Sequence, residues 1–134
     1  MSNQLENKRV AILATDGFEQ SELEEPLTAL EEAGADVTIV SPKPDTIQGM
    51  QHADKGEVFD VDLPLDSANP EDFDALMLPG GLMNPDELRS NPAAVEFVRD
   101  HPEFVIEQPP FEFQEGLATR PVTYWPGGYI RRVR

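Results

Sequence analysis

At 134 residues the chain is long enough for one domain with a single core, burying roughly two thirds of its unfolded surface. It contains no cysteine, which rules out disulfides, thiolate metal sites and a cysteine nucleophile supplied by this chain. A net charge of −16 argues against nucleic acid and anionic membrane as partners, because both would repel it.

Lysine is confined to Lys8, Lys43 and Lys55, and so acid-rich a surface suits either a salt-rich cytoplasm or an ordinary acidic, soluble protein. No apolar run approaches the about 20 residues of a membrane span. The opening MSNQLENKR lacks the charged-then-apolar layout of a signal peptide, so the expected location is the cytoplasm. There is no internal repeat. The charge is uneven: residues 1–100 carry 6 basic and 22 acidic side chains, whereas residues 101–134 carry 4 of each. The same last segment holds five of the 13 prolines and six of the ten aromatic residues, so the character of the chain changes near Asp100.

In chain order, Arg9-Val10-Ala11-Ile12-Leu13-Ala14 is a continuous apolar run ending at Thr15-Asp16-Gly17, which predicts a central, buried strand. The segment from Phe18 to Pro26 leads into Leu27, Leu30 and Ala33 at helical spacing, stopped by Gly34, a natural helix-ending residue. Asp36–Val40 reads as the second strand. Residues 9–40 therefore predict one βαβ unit with a right-handed crossover.

From Ser41 to Asp72 the chain is turn-rich and acidic, with one alternating patch, Val58 to Asp62, that suits a short edge strand or hairpin arm. Asp60 and Asp62 would share a face there, and an outward, solvated face is the expectation over a cation site. Asn69-Pro70-Glu71-Asp72 resembles a helix start or turn. It leads to the stretch FDALMLPGG, residues 73–81, where a short apolar run breaks into Pro79-Gly80-Gly81. That is how a buried parallel strand looks when its carboxyl end opens into a loop, the place where ligands bind in open α/β sheets. Two glycines leave amide N–H groups uncovered. A tight strand-to-helix turn with no ligand fits the same residues.

Asn84–Arg89 predicts a short helix with proline and acids in its first turn, and Asn91-Pro92 repeats the start signal for a helix to about Arg99. Both should pack on the sheet. Beyond Asp100, Phe104-Val105-Ile106 suits a fourth strand, Phe111-Glu112-Phe113 alternates like a strand, and the end has strand-forming residues chopped by proline and glycine. His52 and His101 stand alone, with no second ligand at metal spacing, so both are expected to be surface residues, and no metal or cofactor is expected. Trp125 and Tyr129 are expected to pack or to extend from the surface.

Three stretches, RVAILATDGFEQSELEEP, EEAGADVTIVSP and NPEDFDALMLPGGLMNPDELRSNPAAVEFVRD, together resemble the PfpI family of intracellular proteases and protein deglycases, within the class I glutamine amidotransferase-like superfamily. The resemblance runs from about Lys8 to Asp100. It implies a flavodoxin-like three-layer α/β sandwich with a mainly parallel sheet, usually a homodimer or larger ring, acting on peptide or small-molecule carbonyl substrates. In such a family the nucleophile is a cysteine on a strand-to-helix elbow. An acid after the first strand tunes it, and that acid corresponds to Glu22, with Glu19 the less favoured choice. The family's oxyanion-hole amides correspond to Gly80 and Gly81. An acid that reaches a neighbouring subunit corresponds to Asp86.

The chain departs from that pattern in having no cysteine and no Cys-His-Gly elbow. Sliding residues 104–111 under the elbow strand puts Glu107 where cysteine belongs and Gln108 where histidine belongs. A carboxylate is a far poorer nucleophile than a thiolate toward an aldehyde or acyl carbon, so the chain is expected to be inactive in the family's chemistry. The expected organisation is a PfpI-like α/β part at 1–100 and a divergent tail at 101–134, with the fold incomplete at its C-terminal side. Three readings follow: a cysteine hydrolase or deglycase that lacks its elbow, a non-catalytic dimerising or ligand-binding member, and a truncated or frame-shifted reading frame.

Overall fold

The computed structural model describes residues 5–81, 83–100, 104–107, 120–125 and 128–132. Strand β1 (Arg9–Leu13) lies near the middle of a seven-stranded sheet and is followed by the two-residue strand β2 (Phe18–Glu19), helix α1 (Gln20–Glu32) and β3 (Asp36–Ser41). β1 and β3 pair in parallel from Arg9↔Asp36 to Leu13↔Val40, as a βαβ unit requires. α1 exists because Gln20, Leu23, Leu27 and Leu30 recur on one side, and three of them are buried. It ends where expected: Gly34 takes φ +96, its N–H donates to Glu31 O at 3.0 Å, and the Ala35 N–H donates to Leu30 O at 3.0 Å.

The next part was only half visible in the sequence. β4 (Thr46–Gln51) and β5 (Asp54–Asp60) form an antiparallel hairpin, and β2 adds to β4 to make a separate three-stranded sheet. The hairpin arm is therefore earlier and longer than the Val58–Asp62 patch suggests. Its first arm is masked because Gly49 replaces an apolar residue: a Cβ there would meet the Phe18 ring at 3.2 Å and Glu57 O at 3.1 Å. Phe18 also stacks edge-on with Phe59 at 5.4 Å, fixing the hairpin to the body. Asp62 lies beyond β5. Its carboxylate accepts the Ile39 N–H at 2.8 Å, which steers the chain into β6 (Leu63–Pro64) beside β3.

A 3₁₀ turn at Leu65–Ser67 and another at Pro70–Asp72 follow. The second is capped by the Asn69 side chain, which accepts the Glu71 N–H, and it delivers β7 (Ala75–Leu78) into parallel pairing with β1. Helices α2 (Asn84–Arg89) and α3 (Pro92–Arg99) start where the two Asn-Pro signals stand, with Asn91 capping α3. β8 (Phe104–Glu107) pairs in parallel with β7, so the expected fourth strand is present. β9 (Arg120–Trp125) and β10 (Gly128–Arg132) make an antiparallel hairpin at that side of the sheet, giving the order β6-β3-β1-β7-β8-β10-β9. Phe111–Phe113, His101 and Gln108 fall outside the described residues.

The core has two faces. Ala11, Leu13, Leu76 and Leu78 pack against Leu88, Ala94, Phe97 and Val98 of the α2–α3 layer. Ile12, Ala14, Ile39 and Met77 pack against Phe18, Leu23 and Ile47 on the α1 side. β1 is buried on both faces, which is why it reads as a continuous apolar run and not an alternating one. The result is a flavodoxin-like, three-layer α/β sandwich with a mainly parallel sheet.

Candidate functional site at the carboxyl ends of β1 and β7

The loops after β1 and β7 meet backbone to backbone. Gly17 takes φ +88 and Gly81 φ +128. A Cβ on Gly81 would stand 2.6 Å from Gly17 O and 2.8 Å from Glu19 N, so no side chain fits there. The Glu19 N–H donates to Gly80 O at 2.9 Å across the same seam. Only the second glycine of the pair uses a positive φ.

Beneath this seam lies Asn84, completely buried. Its Oδ1 accepts the Thr15 N–H at 2.7 Å, and its Nδ2 donates to Pro79 O at 2.8 Å. One amide thus satisfies a polar group at the end of each central strand. In the sequence this residue reads only as the start of a helix. Its clue was its place three residues after a glycine pair, which does not separate a cap from a clasp.

Glu22 is half-buried in the first turn of α1. A helix N-terminus favours a carboxylate, by about 0.3–1 kcal/mol. Here that is outweighed: burial, and then the nearby charge of Glu19, push the Glu22 carboxyl from its ordinary 4.5 up to about 7. Pro26, four residues on, has no N–H to offer the Glu22 carbonyl, so the helix ladder is interrupted at this residue. Glu19 is the N-cap of α1, yet its side chain makes no cap hydrogen bond. It turns instead to the hairpin tip, where both carboxylate oxygens lie 3.2 Å from the His52 N–H.

Asp16 closes the other side. It accepts from Lys43 Nζ at 2.8 Å and from the Gln48 N–H at 2.9 Å, while the Gly17 N–H donates to Gln48 O at 2.9 Å. Burial alone would raise the Asp16 carboxyl, but the Lys43 and Gln48 hydrogen bonds and the Lys43 charge together hold it below its ordinary value. The Gln20 Oε1 accepts the Glu57 N–H at 2.8 Å.

The structure brings Glu22, Glu19, Gly80 and Gly81 to one end of the sheet. Asp86 lies apart, 77% exposed on the first turn of α2, and pairs with Arg89 at 3.4 Å. Glu107 is the last residue of β8, in register with Leu78 of β7. Two shallow grooves run along α3, one by Arg89, Val95 and Arg99 and one by Leu65, Ala93 and Phe97, and neither includes Glu22 or the glycines. Among the described residues no three His, Asp or Glu side chains converge as a metal would need, and no helix is long and apolar enough to cross a membrane.

Residues 8–104 match the DJ-1/PfpI family. The chain belongs to that family. Among DJ-1/PfpI relatives, General stress protein 18 of Bacillus subtilis is 41% identical over 93 residues, covering 69% of this chain and 52% of that protein. Protein/nucleic acid deglycase 2 of Escherichia coli is 41% identical over 96 residues, covering 70% of this chain and 53% of the other. A crystal structure of a two-domain protein from Anabaena variabilis, with DJ-1/ThiJ/PfpI-like and ferritin-like domains, superposes with a TM-score of 0.62 at 32% identity, covering 70% of this chain and 27% of that one. The chain spans about half the length of the curated DJ-1/PfpI relatives it matches.

Proposed function

We propose that this chain carries the acid-and-glycine half of a PfpI-type site for thiol-dependent deglycation or peptide hydrolysis, and that it is inert in that chemistry without an added thiol. The observation that carries this reading is the seam where Glu19, the N-cap of the helix that bears the half-buried Glu22, donates its N–H to Gly80 O at 2.9 Å, with the Glu22 carboxyl pushed up to about 7. A carboxyl poised there is neutral often enough to donate a hydrogen bond to a sulfur or an oxyanion near neutral pH. The amides of Gly80 and Gly81 are the candidate donors to the carbonyl oxygen of an aldehyde adduct or peptide. These 134 residues hold no cysteine, so none of them supplies an attacking thiolate. The names of the deglycase and stress-protein relatives support adduct repair under stress over general proteolysis, and the acidic composition is the basis for placing it in the cytoplasm.

Three further proposals accompany it. Asp86, exposed on α2, faces a second subunit in a homodimer or larger ring. The boundary near Asp100 separates family sequence from a divergent tail, supported by the end of the family match at residue 104 and by the shift in charge. Glu107 occupies the nucleophile's place.

The test is an assay of methylglyoxal-adduct release by the purified chain, by Glu107→Cys, and by Glu107→Cys combined with Glu22→Ala. The expected result is no turnover, then measurable turnover, then its loss. Activity in the unaltered chain that disappears in Glu22→Ala alone would overturn the claim that it is inert. Turnover in Glu107→Cys that ignores Glu22→Ala would remove Glu22 from the site.

A further inference from the structure

The segment from Asp16 to Gln20 grips the β4–β5 hairpin with three side chains, each accepting one backbone N–H: Asp16 from Gln48, Glu19 from His52, and Gln20 from Glu57. Asp16 and Gln20 hold the hairpin's arms. Glu19 alone holds its tip, and it does so by giving up the capping bond that an N-cap side chain normally makes. Its main chain is committed as well, to Gly80 O at 2.9 Å, with Gly81 pressed against its nitrogen. One residue therefore touches the glycine loop, the hairpin tip and the opening turn of the helix that bears Glu22.

We propose that Glu19 is a positioning residue for Glu22: anchored by the hairpin tip on one side and the glycine loop on the other, its carboxylate is fixed one helical turn from Glu22. This rests on the reading of Glu22 as the site's acid. Glu19 is the N-cap of α1 and Glu22 its third residue, the two positions whose side chains a capping box brings together. A carboxylate free to rotate has no fixed distance to its neighbour, whereas one tied to the His52 N–H keeps one orientation. The Glu22 carboxyl, raised first by burial and then by the Glu19 charge, agrees with that placement.

Two measurements on the intact chain test the proposal: amide hydrogen exchange at His52, and titration of the Glu22 carboxyl carbon by NMR. In the unaltered protein the His52 amide should be protected. Glu19→Gln keeps an acceptor without the charge, so protection should persist while the Glu22 midpoint drops toward an ordinary carboxyl. Glu19→Ala should lose the protection and lower the Glu22 midpoint, with burial still holding it above the ordinary value. A Glu22 midpoint unmoved in both variants overturns the proposal. So does a His52 amide that exchanges in the unaltered protein as fast as an open loop, a result that needs no variant to fold. None of these readouts involves turnover, so failure of the deglycase reading and failure of this one are distinguishable.

Discussion

Asn84 is two hydrogen bonds deep in a fully buried position, and its replacement exposes how much those bonds matter. Asn84→Ala strands the Thr15 N–H and the Pro79 carbonyl without partners, at about 1–3 kcal/mol each. Urea unfolding should show a loss of at least about 2 kcal/mol. Glu22 gives a different signature. Its folded-state carboxyl titrates higher than its ordinary 4.5, so between 4.5 and about 7 the folded state holds more proton than the unfolded one. By linkage, this residue's contribution to stability falls as pH rises through that window. The melting temperature of the unaltered chain should therefore drop more from pH 5 to pH 8 than that of Glu22→Gln, a difference that scanning calorimetry at both pH values reads directly.

At the level of elements, the β4–β5 hairpin turns through His52 and Ala53, with His52 at φ +58. A positive φ at the first position of a two-residue hairpin loop favours glycine, and a β-carbon there costs on the order of 1 kcal/mol. His52→Gly keeps the N–H that Glu19 accepts, so it should leave the grip intact and raise stability by up to about 1 kcal/mol in thermal unfolding. The hairpin also marks where sequence reading stopped short. β1, α1, β3, β7, α2 and α3 were legible because each is an apolar run or helical stripe bounded by Gly, Asn-Pro or charge. β4 was not, because Gly49 and Gln48 do chemistry that hydropathy cannot see: one makes room for the Phe18 ring, the other sends its Nε2 to Gly49 O at 2.7 Å and Gly56 O at 2.9 Å. The glycine pair was legible as the break at the end of an apolar run, whereas Glu22 was found through family resemblance. Glu19's role needed the hairpin tip at His52, which comes more than 25 residues later and which local pattern does not mark.

For the molecule as a whole, the acids lie in the part that builds the layered core: 22 of them against 6 basic side chains in residues 1–100. Two ion pairs among the described residues, the partly exposed Asp16–Lys43 and the exposed Asp86–Arg89, offset little of this, at about 0–1 kcal/mol each. Self-repulsion at low ionic strength is then a large debit, and about 1 M salt shortens its range to about 3 Å. The melting temperature should climb as potassium chloride rises from millimolar to molar. A flat or falling curve would mean that repulsion among these carboxylates is not what limits stability.

The seam between Gly17 and Gly81 has a consequence for how such chains are recognised. Neither position tolerates a β-carbon, because each would strike the other loop's backbone or the Met83 side chain at 2.6 Å or less. Selection for folding alone is enough to keep both glycines in place, whatever happens to the nucleophile. A descendant that has lost its chemistry therefore goes on displaying the sequence mark by which its active cousins are found, and that mark certifies an architecture, not a living catalyst.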